Sequence, residues 1–126
     1  MTTSAKRILI AEDDRFLRRA FEISVRQMGY SVTATADGEE ALEVIGKQVP
    51  DLILLDLLMP KVNGMEVLRN LKSNEATQSI PVLILTNSSM ANDIDEVKKL
   101  GASGYFIKSN LSLEDLGTQI RQLLKD

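Results

Sequence analysis

Apolar positions fall along this chain in two rhythms. Short unbroken runs occur at Ile8-Leu9-Ile10-Ala11, Leu52-Ile53-Leu54-Leu55, Val82-Leu83-Ile84-Leu85 and Tyr105-Phe106-Ile107. Residues 31–35 alternate instead, with Val32 and two threonines favouring an extended backbone. Between these runs the apolar residues recur at helical spacing. Leu17, Ala20, Phe21, Ser24, Val25 and Met28 form the first stripe, and Ala41, Leu42 and Ile45 the second. Val67, Leu68 and Leu71 form the third, and Ile94, Val97 and Leu100 the fourth. Leu113, Leu116, Ile120, Leu123 and Leu124 form the last. Punctuation agrees with this reading. Gly29 and Gly101 stand where helix C-caps would, Asp37-Gly38 opens the second helix, and Asn63-Gly64 is a turn signal. Residues 73–79 are polar and read as a loop, and Ser112 with Asp115 three residues on reads as an N-cap. The result is strand–helix five times over. Strands that are apolar throughout are buried on both faces, as in a parallel sheet covered by helices. The pattern predicts an α/β fold with an open, doubly wound sheet.

Composition narrows the chemistry. The chain has 126 residues, 44% hydrophobic and 26% charged, which suits one globular domain and neither a disordered nor a fibrous chain. Its pattern stops with the fifth helix, so a single domain over 1–126, with a core at about 6–125 and no attached output domain, is expected. The chain contains no Cys and no His. That excludes disulfides, thiolate or imidazole metal sites, His-based triads and any role as a histidine phosphodonor. A metal site must be built from oxygens, which suits a hard cation such as Mg²⁺, Ca²⁺ or Mn²⁺. The net charge of −3 argues against direct nucleic-acid binding. No apolar stretch approaches the ~20 residues of a membrane helix, so a cytoplasmic protein without membrane insertion is expected.

The polar residues that follow the apolar runs carry the functional signal. Glu12, Asp13 and Asp14 follow the first run, Asp56 the second, Thr86 and Asn87 the third, and Lys108 the last. In a doubly wound sheet these positions meet at the carboxyl edge, where ligands bind. Each residue has a plain structural explanation when taken singly. Acids at a helix start complement its dipole, a threonine after a strand is often a cap, and a lone lysine is usually solvated. Asp56 inside Leu-Leu-Asp-Leu-Leu resists such an explanation, because burying an unpaired charge is costly. Together the residues match the needs of an aspartyl-phosphate site. Clustered carboxylates would hold Mg²⁺, Asp56 would be the nucleophile, and Lys108 and Thr86 would bind phosphoryl oxygens.

Four motifs extend the match. They are Ile-Leu-Ile-Ala-Glu12-Asp13-Asp14, Asp51-Leu-Ile-Leu-Leu-Asp56-Leu-Leu-Met-Pro60-Lys-Val-Asn-Gly64, Pro81-Val-Leu-Ile-Leu-Thr86 and Gly101-Ala-Ser-Gly-Tyr105-Phe-Ile-Lys108. In their order and spacing the chain resembles the CheY-like receiver domain of two-component response regulators. The resemblance implies a flavodoxin-like sheet of five parallel strands in the order 2-1-3-4-5, flanked by five helices. It implies that Asp56 accepts a phosphoryl group from a histidine kinase or a histidine phosphotransfer protein. Glu12, Asp13, Asp56 and the Leu58 backbone carbonyl would hold Mg²⁺, or Mn²⁺. Thr86 and Lys108 would bind the phosphoryl group, and Thr86 and Tyr105 would form the switch. A downstream protein would read the face made by the fourth helix, fifth strand and fifth helix. The protein would be a monomer or weak homodimer, and would catalyse only its own phosphorylation and autodephosphorylation.

Three departures from the family pattern shape further expectations. Ser109 stands where proline usually follows the lysine, so the Lys108–Ser109 peptide is expected to be trans, since a non-proline cis bond costs about 2.5–4 kcal/mol. Asn87 is larger than the usual small residue and would restrict access to Asp56. Leu58 and Ser88 occupy positions that tune phosphoryl lifetime, and an apolar Leu58 predicts slow self-hydrolysis. Two other readings compete. A degenerate receiver would act as a phosphorylation-independent scaffold, an outcome the Lys108-Ser109 change would allow. A haloacid-dehalogenase-type phosphatase would need an acid two residues after the nucleophile, where Leu58 stands. No P-loop motif is present.

Overall fold

A computed structural model describes residues 5–87 and 91–125. Strands and helices alternate in chain order: β1 (Arg7–Ala11), α1 (Arg15–Gln27), β2 (Ser31–Thr35), α2 (Gly38–Lys47) and β3 (Leu52–Asp56) come first. They are followed by α3 (Gly64–Lys72), β4 (Val82–Thr86), α4 (Ala91–Lys99), β5 (Gly104–Ile107) and α5 (Leu113–Leu123). The strands form one parallel sheet in the order β2-β1-β3-β4-β5, the order that the resemblance to receiver domains implies. The strand order reverses between β1 and β3, and a ligand crevice opens at the carboxyl end of such a junction. The register sets Ala11 beside Leu55, Asp56 beside Leu85 and Thr86 beside Ile107, so the four strand ends finish nearly level.

The pleat divides the core in two. Leu9, Ala11, Ile53, Leu55, Val82 and Ile84 pack with Ala41 and Ile45 of α2, Val67, Leu68 and Leu71 of α3 and Val97 of α4. Ile8, Ile10, Leu52, Leu54, Leu83 and Leu85 pack on the opposite face with Phe21 and Val25 of α1 and Leu116 and Ile120 of α5. Burial on both faces is the physical reason for the unbroken apolar runs.

Helix ends follow local chemistry. The side chains of Asp14, Asp37, Asn63 and Ser112 accept hydrogen bonds from the first-turn amides of α1, α2, α3 and α5. Gly29 and Gly101, both at φ 97°, end α1 and α4 in the left-handed region that glycine tolerates best. A 3₁₀ turn over Lys108–Asn110, which the hydrophobic pattern does not signal, joins β5 to α5. Among the described residues no helix is long and apolar enough to cross a membrane.

Candidate functional site

Asp56 ends β3 and is 2% exposed, and Glu12, just past β1, is fully buried. Asp13 follows at the surface, and one carboxylate oxygen from each of Glu12, Asp13 and Asp56 falls within 4.8 Å of the others. Lys108 reaches into this group from the end of β5. Its Nζ lies 2.7 Å from Glu12 Oε1 and 3.0 Å from Asp56 Oδ2, and it donates to Glu12 Oε2 at 2.9 Å. Thr86 ends β4 with its residue 2% exposed. Four chain segments distant in sequence thus deliver acids, hydroxyl and ammonium to one edge, as the strand reading predicts.

The electrostatics are uneven. Burial pushes the Asp56 carboxyl up to about 7, with help from a hydrogen bond to Asp13 and the charge of Glu12, while Lys108 opposes the rise. For Lys108, burial pulls the ammonium down, but its pairing with Glu12 and Asp56 outweighs this and holds it above the usual lysine value. One ammonium does not satisfy the group. Glu12 Oε1 and Asp56 Oδ2 are buried near the Lys108 nitrogen yet receive no directed hydrogen bond. Two buried carboxylates that share one ammonium, beside a third carboxylate, form a hard-donor set of the kind Mg²⁺ binds, and the residues fit such an ion.

Close packing fixes the loop after Asp56. A Cβ added at Gly64 would lie 2.0 Å from the Asp56 carbonyl oxygen, so only glycine lets α3 begin against the end of β3. The Gly64 amide donates to the Leu57 carbonyl at 2.9 Å. Gly38 plays the same part from α2, since a Cβ there would lie 1.8 Å from the Val62 carbonyl oxygen. Lys61 takes φ 68°, and its ammonium sits 3.8 Å from Asp37 Oδ2, beside the α2 cap. In that loop the Leu58 amide donates to Asp56 Oδ1 at 3.2 Å and the Leu58 side chain is 65% exposed.

The remaining expectations separate. No cis peptide occurs among the described residues, so Lys108–Ser109 is trans, and Lys108 still reaches Asp56. Asn87 is exposed beside Thr86, and a cavity of about 280 Å³ lined by Leu57, Leu58, Asn63, Met65, Thr86 and Asp93 opens next to it. Ser88 lies outside the described residues. Tyr105 is half-buried on β5, packs against the core on the α2–α4 face and carries the Lys98 ammonium 5.6 Å from its ring centre. Asp14 stands apart from the acidic group, because its Oδ1 accepts from the Phe16 and Leu17 amides at 2.9 and 3.0 Å. Sequence reasoning misses the two close-packed glycines as site residues, and it misses Arg18, which bonds the backbone of the acidic loop. The Asp37-Gly38 and Asn63-Gly64 pairs carried a signal, but it read as helix starts and turns.

Comparison with known proteins agrees with this geometry. The family model described as the response regulator receiver domain matches residues 8–121. The chain is 35% identical over 120 residues to a probable transcriptional regulator, ycf27, of Porphyridium aerugineum, across 95% of this chain and 48% of that protein. It thus spans about half the length of the curated relatives it matches. Among solved structures, a response regulator from Chloroflexus aurantiacus superposes with a TM-score of 0.90 at 28% identity, covering 98% of this chain and all of that one (100%). The Mn²⁺-bound form of response regulator Rcp1 superposes with a TM-score of 0.81 at 31% identity, covering 94% and 91% of the two chains.

Proposed function

We infer that this chain, which belongs to the response regulator receiver domain family, is a phosphorylation switch whose acceptor is Asp56. The observation that carries the reading is the group at the strand-order reversal in which buried Glu12, Asp56 and the Lys108 ammonium meet exposed Asp13. Glu12, Asp13, Asp56 and the Leu58 carbonyl would hold Mg²⁺, or Mn²⁺, whose charge offsets that of the acids and of the incoming phosphoryl oxygens. An Asp56 oxygen attacks phosphorus as the phosphorus–nitrogen bond of a phosphohistidine donor breaks, and the nitrogen keeps the electron pair. Lys108 then pairs with a phosphoryl oxygen and the Thr86 hydroxyl donates to another.

Donor and readout surfaces are separate. Phe16 at 85% and Leu58 at 65% are the two most exposed large apolar side chains among the described residues; Phe16 follows the loop that carries Glu12 and Asp13, and Leu58 lies in the loop after Asp56. They suit contact with a histidine kinase or phosphotransfer protein. On the readout side, bound phosphate would draw Thr86 toward the site and let the Tyr105 ring turn inward, changing how the α4–β5–α5 face meets a downstream protein. A phosphorylation-independent scaffold has no use for a buried lysine on two carboxylates, and Ser109 does not displace that lysine.

Intact-mass measurement after incubation with acetyl phosphate tests the reading. The expected result is a gain of one phosphoryl group that requires Mg²⁺ and is absent in Asp56→Asn. A wild-type protein that stays unmodified, and whose NMR spectrum ignores beryllofluoride, would favour the scaffold. With no polar side chain at Leu58 to orient water, the phosphoryl group is expected to outlast the seconds range.

A further inference from the structure

We propose that Arg18 is a positioning residue for the divalent cation, holding the backbone that presents Glu12 and Asp13. The proposal rests on the receiver-site reading and adds a residue which that reading does not use. Arg18 lies in the first turn of α1, and its Nη1 donates to the carbonyl oxygens of Glu12 at 3.0 Å and Asp13 at 3.3 Å. The residues on either side of Asp13 have further anchors besides Arg18. The Glu12 amide donates to the Thr35 carbonyl at 3.0 Å, the Asp14 amide donates to Glu12 Oε2 at 2.9 Å, and the Asp14 carboxylate caps α1. Asp13 is exposed, and among the described residues Arg18 is the side chain that grips its backbone. A partly buried guanidinium rooted in a helix thus ties the least enclosed of the three acids to a rigid element. Groups that orient a ligand, without touching the metal, contribute to affinity through geometry.

Geometry and charge make opposite demands here. Arg18 brings a positive charge toward a cation site. If it acted only through charge, its removal would tighten cation binding. If it acts through position, removal weakens binding because Asp13 is free to wander from the other acids. The sign of one measurement separates the two.

The test uses Mn²⁺ alone, with free ion counted by its electron paramagnetic resonance signal, on wild type, Arg18→Ala and Arg18→Lys, with cation-free melting of each. Arg18→Ala is expected to bind Mn²⁺ about tenfold more weakly. Arg18→Lys keeps the charge but is shorter and loses the shared contact, so it should fall between the two. Unchanged or tighter binding by Arg18→Ala would overturn the proposal. Should the alanine variant fail to fold, Arg18→Lys decides, because affinity equal to wild type at equal charge would also overturn it. Failure of the wild type to bind Mn²⁺ would instead overturn the site reading, and this proposal with it.

Discussion

The two halves of the carboxyl edge are built differently. On the β1–β3 side every residue of β3 is buried, as is β1 beyond Arg7. The loops leaving these strands are gripped by Arg18, by glycines that admit no Cβ and by the Asp14 and Asn63 caps. On the β4–β5 side, β5 is half-buried along its length, and among the described residues of α4 only Val97 is buried. Besides Val97, α4 meets its neighbours through the exposed Arg69–Glu96 ion pair and through Lys98, which stands over half-buried Tyr105. Such contacts contribute about 0.5–1 kcal/mol each, so their rearrangement is cheap. Phosphoryl chemistry needs fixed charges, whereas a readout needs an element whose second arrangement lies within a few kcal/mol of the first. If the proposed switch is right, the fixed charges would sit at the strand ends, Lys108 included, and the yielding element would be α4 with the outer face of β5.

Breaking the rigid half should have the largest effect. Gly64→Ala sets a methyl group against the Asp56 carbonyl, with backbone on both sides and nothing flexible to yield. We expect a loss of about 3 kcal/mol in urea unfolding and no phosphorylation by acetyl phosphate. Wild-type stability and phosphorylation in this variant would show that the loop is not fixed as described.

Next in size is a change that relieves the same half. Asp56 titrates near 7 in the folded protein against 3.8 unfolded, chiefly because burial disfavours its charge. The folded state therefore holds the proton more tightly, so this contribution to stability is complete below 3.8 and is lost as pH rises toward 7. Asp56→Asn removes the charge at all pH values. Without cations it should be more stable than wild type at pH 8 by about 2 kcal/mol, a discounted value because Lys108 and solvent at the loop share the load. The advantage should shrink to nothing near pH 4, and saturating Mg²⁺ should flatten the wild-type slope. A variant less stable than wild type at pH 8 would mean that pairing with Lys108 outweighs the repulsion.

Most of this organisation is legible in the sequence, for definable reasons. The unbroken runs at β1, β3 and β4 report burial on two faces, which is a local property of each run. Their terminal residues then report the site, because all strands of a parallel sheet point the same way. Glu12, Asp13, Asp56 and Lys108 meet as that logic requires, and Thr86 ends β4 at the same edge. What stays hidden depends on contacts between segments distant in the chain. Gly64 reads as a turn glycine, and only the β3–α3 crossing shows that its missing Cβ is filled by Asp56 backbone. Arg18 reads as one arginine among several on a polar helix face, since hydrogen bonds to carbonyls leave no trace in residue type. The 3₁₀ turn at Lys108–Asn110 is too short to carry a period.

The smallest effect is expected from Lys98→Ala, and it sharpens the comparison because it touches only the loose half. Lys98 is exposed, and its ammonium stands 5.6 Å from the Tyr105 ring centre. Removing it should cost about 0.5 kcal/mol. Cation affinity and the rate of phosphorylation should be unchanged, since no group within the acidic cluster is disturbed. The Tyr105 ring and the amides of β5 and α4, by contrast, should shift in NMR spectra of the unphosphorylated protein, because the charge over the half-buried ring is gone. If two arrangements of this ring are nearly balanced, even this small change moves the population by about twofold. A loss of more than about 2 kcal/mol, or weaker cation binding, would show that β5 and the acidic cluster are held as one unit, and the division of labour between the two halves would fail.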